Sequence, residues 1–492
     1  MDVVNAQGHG RVHDLVAFSD EDAAVARVLR IYERATAAIR RAYAAGASID
    51  PETERALARA TYPYVGLTVG GGDLRIDARL SYGALFDPGT YGTTVTRPDI
   101  FADYYRTQIG LLLKHHGVPV AVGVSDRRIP LPFVLETSMA ETTEVEVRAM
   151  QSRFALPDLG YMDDRVVNGT HRPAPGEPKP LALFSAERVD YSLQRLWHYT
   201  ATSPVHFQRF LLLTNYQRYV DEFVDFARRQ MASGDGEFAA FVEPGDMMTR
   251  ADGATGGGET LKNLPQMPAY HLARPDRRGI SLVNIGIGPS NAKTITDHLA
   301  VLRPHCWIML GHCAGLRRTQ YLGDYVLAHG YVREDHVLDR DLPLSVPVPP
   351  IAEVQVALQQ AVARVTGLSG QDLKTRMRTG TVATTDDRNW ELRYLELYAR
   401  LNQSRAIAVD MESATVAANG FRFRVPYGTL LCVSDKPIHG EIKLRGMATA
   451  LYRERISQHL MIGVETMRIL RESGIDQLHS RKLRSFDEPA FR

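Results

Sequence analysis

Two apolar runs end in acids. Ala408-Val409 leads into Asp410-Met411-Glu412-Ser413, and Leu431-Cys432-Val433 leads into Ser434-Asp435-Lys436-Pro437. A carboxylate at the end of a buried strand is costly unless it is solvated, paired or used. In open α/β sheets, ligands sit at the carboxyl ends of strands. Acids so placed, two after one strand and one after another, are therefore candidates for chemistry. Structural roles compete with this. Asp435 after Ser434 also reads as a helix cap, and Glu412 as a solvated first-turn acid at the positive end of a helix.

Three further runs end in small or polar residues. Phe241-Val242 precedes Glu243-Pro244-Gly245-Asp246, and Val283-Asn284-Ile285 precedes Gly286-Ile287-Gly288-Pro289-Ser290-Asn291. Ile308-Met309-Leu310 precedes Gly311-His312-Cys313-Ala314-Gly315-Leu316. Gly286 and Gly288 start like a dinucleotide fingerprint, but Asn291 stands where its third glycine belongs. Gly256-Gly257-Gly258-Glu259-Thr260-Leu261-Lys262 lacks the Gly-Lys-Ser/Thr ending of a P-loop. Tight turns explain such glycines as well as a ligand does, so they name no cofactor. His305-Cys306 and His312-Cys313 lack zinc-finger spacing, and Cys306 opens the apolar run Cys-Trp-Ile-Met-Leu, which reads as a strand; no metal is expected.

The elements that would carry these residues follow from periodicity. Ser19 is the expected cap of a first helix with Val25, Val28, Leu29, Tyr32, Ile39 and Tyr43 at helical spacing, ended by Gly46. Period-two patterning over 64–82 around Gly70-Gly71-Gly72-Asp73 predicts a hairpin. Pro98 opens a helix closed by Gly117, and Val118–Val124 and Ile129–Leu135 read as strands. These form an α+β unit over 1–165. Residues 168–180, with four prolines and two glycines, have linker composition. Pro204 is expected to begin a long helix with Phe207, Phe210, Leu211, Tyr219, Val220, Phe223 and Phe226 as its core stripe. Linker and helix together span 166–235. From 236 to 475, strands Phe238–Val242, Ile280–Ile285, Trp307–Leu310, Ala406–Val409 and Thr429–Val433 alternate with helices. That predicts a mixed, largely parallel sheet flanked by helices, followed by a tail over 476–492.

The 492 residues hold 58 Lys plus Arg against 57 Asp plus Glu, a balance that excludes a protein built chiefly to bind nucleic-acid backbone. Hydrophobic residues at 44% exclude a disordered chain. Three cysteines point to a reducing compartment. No stretch reaches the roughly 18 apolar residues of a membrane helix, and the N-terminus lacks a signal-peptide pattern. A soluble cytoplasmic protein is expected.

In order, four segments resemble the nucleoside phosphorylase/nucleosidase superfamily: the Pro244-Gly245-Asp246 anion loop, the 278–316 segment, Asp410-Met411-Glu412-Ser413-Ala414, and Val433-Ser434-Asp435. Within it, the AMP nucleosidase branch is the most similar. Thr214-Asn215-Tyr216-Gln217-Arg218-Tyr219-Val220, Gly380-Thr381-Val382 through Asp387-Arg388-Asn389-Trp390-Glu391, and Ser434-Asp435-Lys436-Pro437 carry that likeness. Arg97-Pro98-Asp99 and Ile129-Pro130-Leu131-Pro132-Phe133 resemble the branch's extra N-terminal regulatory domain. One departure separates the chain from the phosphorylases. Their phosphate-binding Arg, two residues before Gly311, is Met309 here, and the following Ser/Thr is His312.

The resemblance implies hydrolysis of AMP to adenine and ribose 5-phosphate, with no metal or redox cofactor. Asp435 would protonate the purine, Glu412 would hold the ribose hydroxyls, and Met411 would pack on the sugar. Gly245, Arg250, Gly288 and Arg317 are candidates for the 5′-phosphate, Gly311 and His312 for lining the site, and Trp390 for stacking on the base. Glu243 is the one acid considered for activating water. The resemblance also implies ATP as activator, phosphate as inhibitor, and a homo-oligomer, a hexamer. A purine nucleoside phosphorylase and a non-catalytic nucleotide sensor are the competing expectations.

Overall fold

The computed structural model describes residues 3–4, 11–46, 49–72, 80–135, 152–234, 236–442, 450–478, 483–485 and 488–492, with backbone alone at 3, 4, 11 and 450–453. The chain divides into two compact units, Met1–Gln194 with Phe486–Arg492, and Arg195–Ser485. The boundaries expected at 165, 235 and 475 all fall inside these units.

The first unit is built on a sheet of six strands in the order β1 (Val3–Val4), β2 (Arg11–Phe18), β5 (Val120–Arg128), β3 (Thr61–Val69), β4 (Gly89–Thr94), β6 (Lys179–Pro180). Its pairs are antiparallel except β4–β6. The first helix, Glu21–Ala44, buries Val25, Val28, Tyr32 and Ile39. Its cap is Asp20 rather than Ser19: the Asp20 carboxylate accepts from the Ala23 amide at 2.8 Å. The helix Pro98–His116 ends, as expected, at Gly117 with φ 64°.

The strand over 61–69 pairs with 89–94, and the second arm of the expected hairpin, residues 73–79, lies outside the described residues. One expected strand does not form. Leu131–Phe133 is a 3₁₀ turn instead of a strand, because Pro130 and Pro132 have no N–H to give a ladder.

The second unit has strands β7 (Phe210–Thr214), β8 (Ala240–Glu243), β9 (Met247–Arg250), β10 (Thr255–Gly257), β11 (Ala269–Ala273), β12 (Ile280–Asn284), β13 (Cys306–Gly315), β14 (Tyr325–Glu334), β15 (Met377–Thr385), β16 (Ala408–Asp410) and β17 (Tyr427–Asp435). They run in the order β10-β9-β8-β11-β12-β7-β13-β16-β15-β14-β17, and β17 also pairs with β13. That last pairing closes β13, β16, β15, β14 and β17 into a barrel-like ring. The sheet is mixed: β12–β7–β13–β17 and β14–β15–β16 are parallel, while the remaining neighbours are antiparallel. All five strands expected in this region are present, with bounds shifted by a few residues.

The segment after Pro204 is not one helix. A 3₁₀ turn (Pro204–His206) leads into β7, and the helix starts only at Gln217 and runs to Ser233. Phe210-Leu211-Leu212-Leu213 is buried throughout, because β7 lies between β12 and β13 with parallel neighbours on both edges. A strand covered on both faces reads as a continuous apolar run, and such a run also fits a helical stripe. At the centre, Trp307 on β13 is fully buried and its indole N–H donates to the Val416 carbonyl at 3.2 Å. No helix among the described residues is long and apolar enough to cross a membrane.

Candidate active site

Glu412 directly precedes the helix Ser413–Phe423, just past the end of β16. Its side chain turns away from that helix toward two other strand ends. Oε1 accepts from the Gly288 amide, after β12, at 2.7 Å; Oε2 accepts from Nδ2 of Asn215, after β7, at 2.9 Å. Glu412 is 1% exposed. Burial pushes its carboxyl up to about 8, with the nearby Asp410 adding to the effect and the two hydrogen bonds opposing it.

Asp410 organises the same turn. It accepts from the Thr384 hydroxyl at 2.5 Å, from the Ser413 amide at 2.8 Å and from the Ser413 hydroxyl. These bonds cap the start of the helix, and burial raises this carboxyl too. Met411 lies half-buried between the two acids.

Gly288 adopts φ 105°, a value that suits glycine, and this turn aims its amide at Glu412. A Cβ on Gly311 would lie 3.1 Å from the Met309 Cε and 3.5 Å from the Asn215 Oδ1. That Oδ1 is buried without a hydrogen-bond partner among the described residues. His312, 7% exposed, packs edge-on against the Tyr216 ring at 4.3 Å. Met309 is fully buried in β13, paired with Leu213 and Thr429.

Asp435 is the last residue of β17. The parallel β13–β17 register pairs His312 with Cys432 and, after a bulge, Ala314 with Asp435. Asp435 is half-buried, and the Ser434 hydroxyl donates to its Oδ1. Glu412, Met411 and Gly288 thus gather at adjoining strand ends, Gly311 and His312 lie within β13, and Asp435 reaches the end of β13 through its pairing.

The other expected site residues are anchored elsewhere. The Gly245 amide donates to Ala201 O at 2.7 Å and its carbonyl accepts from Glu259 N at 2.9 Å. Arg250 is exposed at the end of β9. The Arg317 guanidinium donates to the Arg405 carbonyl at 2.9 Å. Trp390 is 5% exposed and packs with Leu316, Ala383, Leu397, Leu401 and Val409. Glu243 pairs with Arg228 at 3.2 Å. Asn215, Tyr216 and Tyr219 join the site without having been expected there. A polar residue after an apolar strand is the signal that marks the other strand ends, but here it is hidden in a segment that reads as a helix.

Over 469 residues, 94% of this chain and 96% of the relative, the sequence is 48% identical to the AMP nucleosidase of Escherichia coli K12. The chain belongs to the AMP nucleosidase family. The AMP nucleosidase of Escherichia coli O157:H7 matches to the same extent. The family model for the bacterial AMP nucleoside phosphorylase N-terminus matches residues 23–178, and that for the phosphorylase superfamily matches residues 264–457. The fold of the second unit in this AMP nucleosidase family member is therefore of the nucleoside phosphorylase type. Among solved structures, AMP nucleosidase from Bacteroides thetaiotaomicron is similar at 27% identity and TM-score 0.43, covering 58% of this chain and 99% of that one. Purine nucleoside phosphorylase from Toxoplasma gondii matches at 18% identity and TM-score 0.40, covering 56% and 98%.

Proposed function

We propose that this chain hydrolyses the N-glycosidic bond of AMP, releasing adenine and ribose 5-phosphate. The observation that carries the reading is the buried Glu412 carboxylate, tied to two other strand ends in a member of this family.

Breaking the C1′–N9 bond builds positive charge on the sugar and negative charge on the base. Asp435 gives its proton to adenine N7 as the bond breaks, so the base leaves neutral. Glu412 accepts hydrogen bonds from the ribose hydroxyls and, when ionised, opposes the charge on the sugar. Those hydroxyls bring donors to a carboxyl that burial keeps high, so binding favours its ionised form. Met411 packs on the sugar, Gly311 and His312 line its surroundings, and Trp390 supports the base side. In this reading the 5′-phosphate is met by Arg250 and the Gly245 loop. For Gly288 and Arg317 to join, the Gly288 amide would leave Glu412 and Arg317 would leave Arg405.

Water as the nucleophile is supported by Met309, which puts an apolar side chain where the phosphorylases carry a phosphate-binding Arg. The test is adenine release from AMP in phosphate-free buffer, with adenosine in parallel. Release from AMP alone is expected; release only on adding phosphate, with adenosine preferred, overturns the reading. The same proposal includes activation by ATP, inhibition by phosphate, and self-assembly into a hexamer in the cytoplasm. Turnover against each effector and the mass in solution by light scattering test these points.

A further inference from the structure

Three residues in two hydrogen-bonded turns hold left-handed backbone: Ala201 at φ 51°, Gly245 at φ 87° and Asp246 at φ 59°. Only the glycine adopts that conformation without cost, so the other two persist because their surroundings hold them. The Gly245 amide donates to the Ala201 carbonyl, and the Ser203 amide donates to Asp246 Oδ1, both at 2.7 Å. Thr202 stands between these two contacts. It is fully buried, and its hydroxyl belongs to a chain of hydrogen bonds that runs from the turn into the sheet.

Donors and acceptors along that chain have one order, because a backbone group closes each end. The Leu196 carbonyl only accepts, and the Thr200 hydroxyl donates to it at 2.7 Å. Thr200 Oγ1 then accepts from the Thr202 hydroxyl at 3.1 Å, and Thr202 Oγ1 accepts from Nε2 of His271 at 3.0 Å. At the other end the Gln208 amide donates to Ser281 Oγ at 2.8 Å, and the Ser281 hydroxyl donates to Nδ1 of His271 at 2.7 Å. His271 is wholly buried, and burial holds its imidazole well below the usual range. The ring is therefore neutral, with its hydrogen on Nε2 and its lone pair on Nδ1, as both neighbours require. On β11, His271 lies opposite Ser281 of β12 on one side and, on the other, Val242 of β8, just before the Gly245 loop.

Resting on the proposed function for the Gly245 loop, we propose that Thr202 and His271 are positioning residues for recognition of the substrate's 5′-phosphate. They tie the 200–203 turn to the sheet, and that turn sets the backbone of Gly245 and Asp246. Their contribution belongs to the phosphate end of AMP and leaves the base end alone.

The test uses the full chain in phosphate-free buffer, with AMP as substrate and ribose 5-phosphate and adenine as product inhibitors. Thr202→Val keeps the shape of the side chain and removes its hydroxyl. It is expected to raise KM for AMP and the inhibition constant of ribose 5-phosphate about 10-fold each, with kcat within about two-fold and adenine inhibition unchanged. His271→Leu should move the same two constants in the same direction. Thr202→Ser, which retains the hydroxyl, should restore wild-type values. A merely structural role would lower the melting temperature of Thr202→Val and leave both constants in place. That result overturns the proposal, as does a rise that adenine shares, or Thr202→Ser as defective as Thr202→Val. Arg250→Ala serves as the control. If it weakens ribose 5-phosphate while Thr202→Val does not, only the positioning role fails; if neither does, the loop does not meet the phosphate and the underlying reading fails with it. Should His271→Leu not fold, the Thr202→Val and Thr202→Ser pair decides.

Discussion

Nδ2 of Asn215 donates to Oε2 of Glu412 at 2.9 Å across 197 residues of sequence. Asn215 follows β7 and Glu412 follows β16, and both strands neighbour β13. The same carboxylate receives the Gly288 amide after β12. Three loops without contact in the sequence therefore meet on one side chain. Removing the donor with Asn215→Ala leaves a buried carboxylate oxygen unpaired, at a cost of about 1–3 kcal/mol. Urea denaturation should show that loss, and AMP turnover should fall with it.

The pH dependence of stability follows from the same carboxyl. Burial raises Glu412 from 4.5 to about 8, so between those values the folded chain holds a proton that the unfolded chain has released. This contribution is fully present below pH 4.5 and is lost as the pH rises through about 8. Glu412→Gln does not titrate. Its melting temperature should therefore decline less than that of the wild type between about pH 5 and 8, as scanning calorimetry can measure. Equal slopes would sink the assignment.

Asp435→Asn keeps the shape of the side chain but removes the proton that adenine N7 would receive. AMP hydrolysis should drop by about 10²- to 10⁴-fold, the usual worth of a positioned general acid. AMP binding by calorimetry should change little. A variant retaining most of its turnover would move the acid to another residue.

Gly258 touches the backbone of Gly245: a Cβ on it would lie 1.6 Å from the Gly245 carbonyl oxygen. Gly258→Ala must push the two loops apart, with an overpacking cost of about 1–3 kcal/mol. A lower melting temperature is expected. If the Gly245 loop meets the 5′-phosphate, KM for AMP should rise more than kcat falls.

The strands that lead into Glu412, Asp435 and Gly288 are legible in the sequence because each is a short apolar run followed at once by polar or glycine residues, whereas β13 runs on through Gly311 to Gly315. That transition is local, and the fold leaves it where the sequence puts it. The order of the motifs along the chain likewise suffices for the family. β7 is not legible. Phe210-Leu211-Leu212-Leu213 owes its strand form to neighbours on both edges, and in isolation it merges with the helical stripe of Tyr219, Val220 and Phe223. Asn215 is hidden with it. Leu131–Phe133 misleads for the opposite reason: its apolar pattern suits a strand, but its prolines cannot pair.

Sequence by itself determined the candidate residues, the family, and the strands that lead into the motifs, because residue type and hydrophobic period are properties of a short window. Tertiary structure decided what those residues do to one another. Strand order sets the Asn215, Gly288 and Glu412 contacts, and the packing of two helices against β13 brings Tyr219 and His459 to His312. Hydrogen bonds and burial depend on partners brought in from far along the chain. The raised Glu412 carboxyl therefore exists only once the sheet has closed.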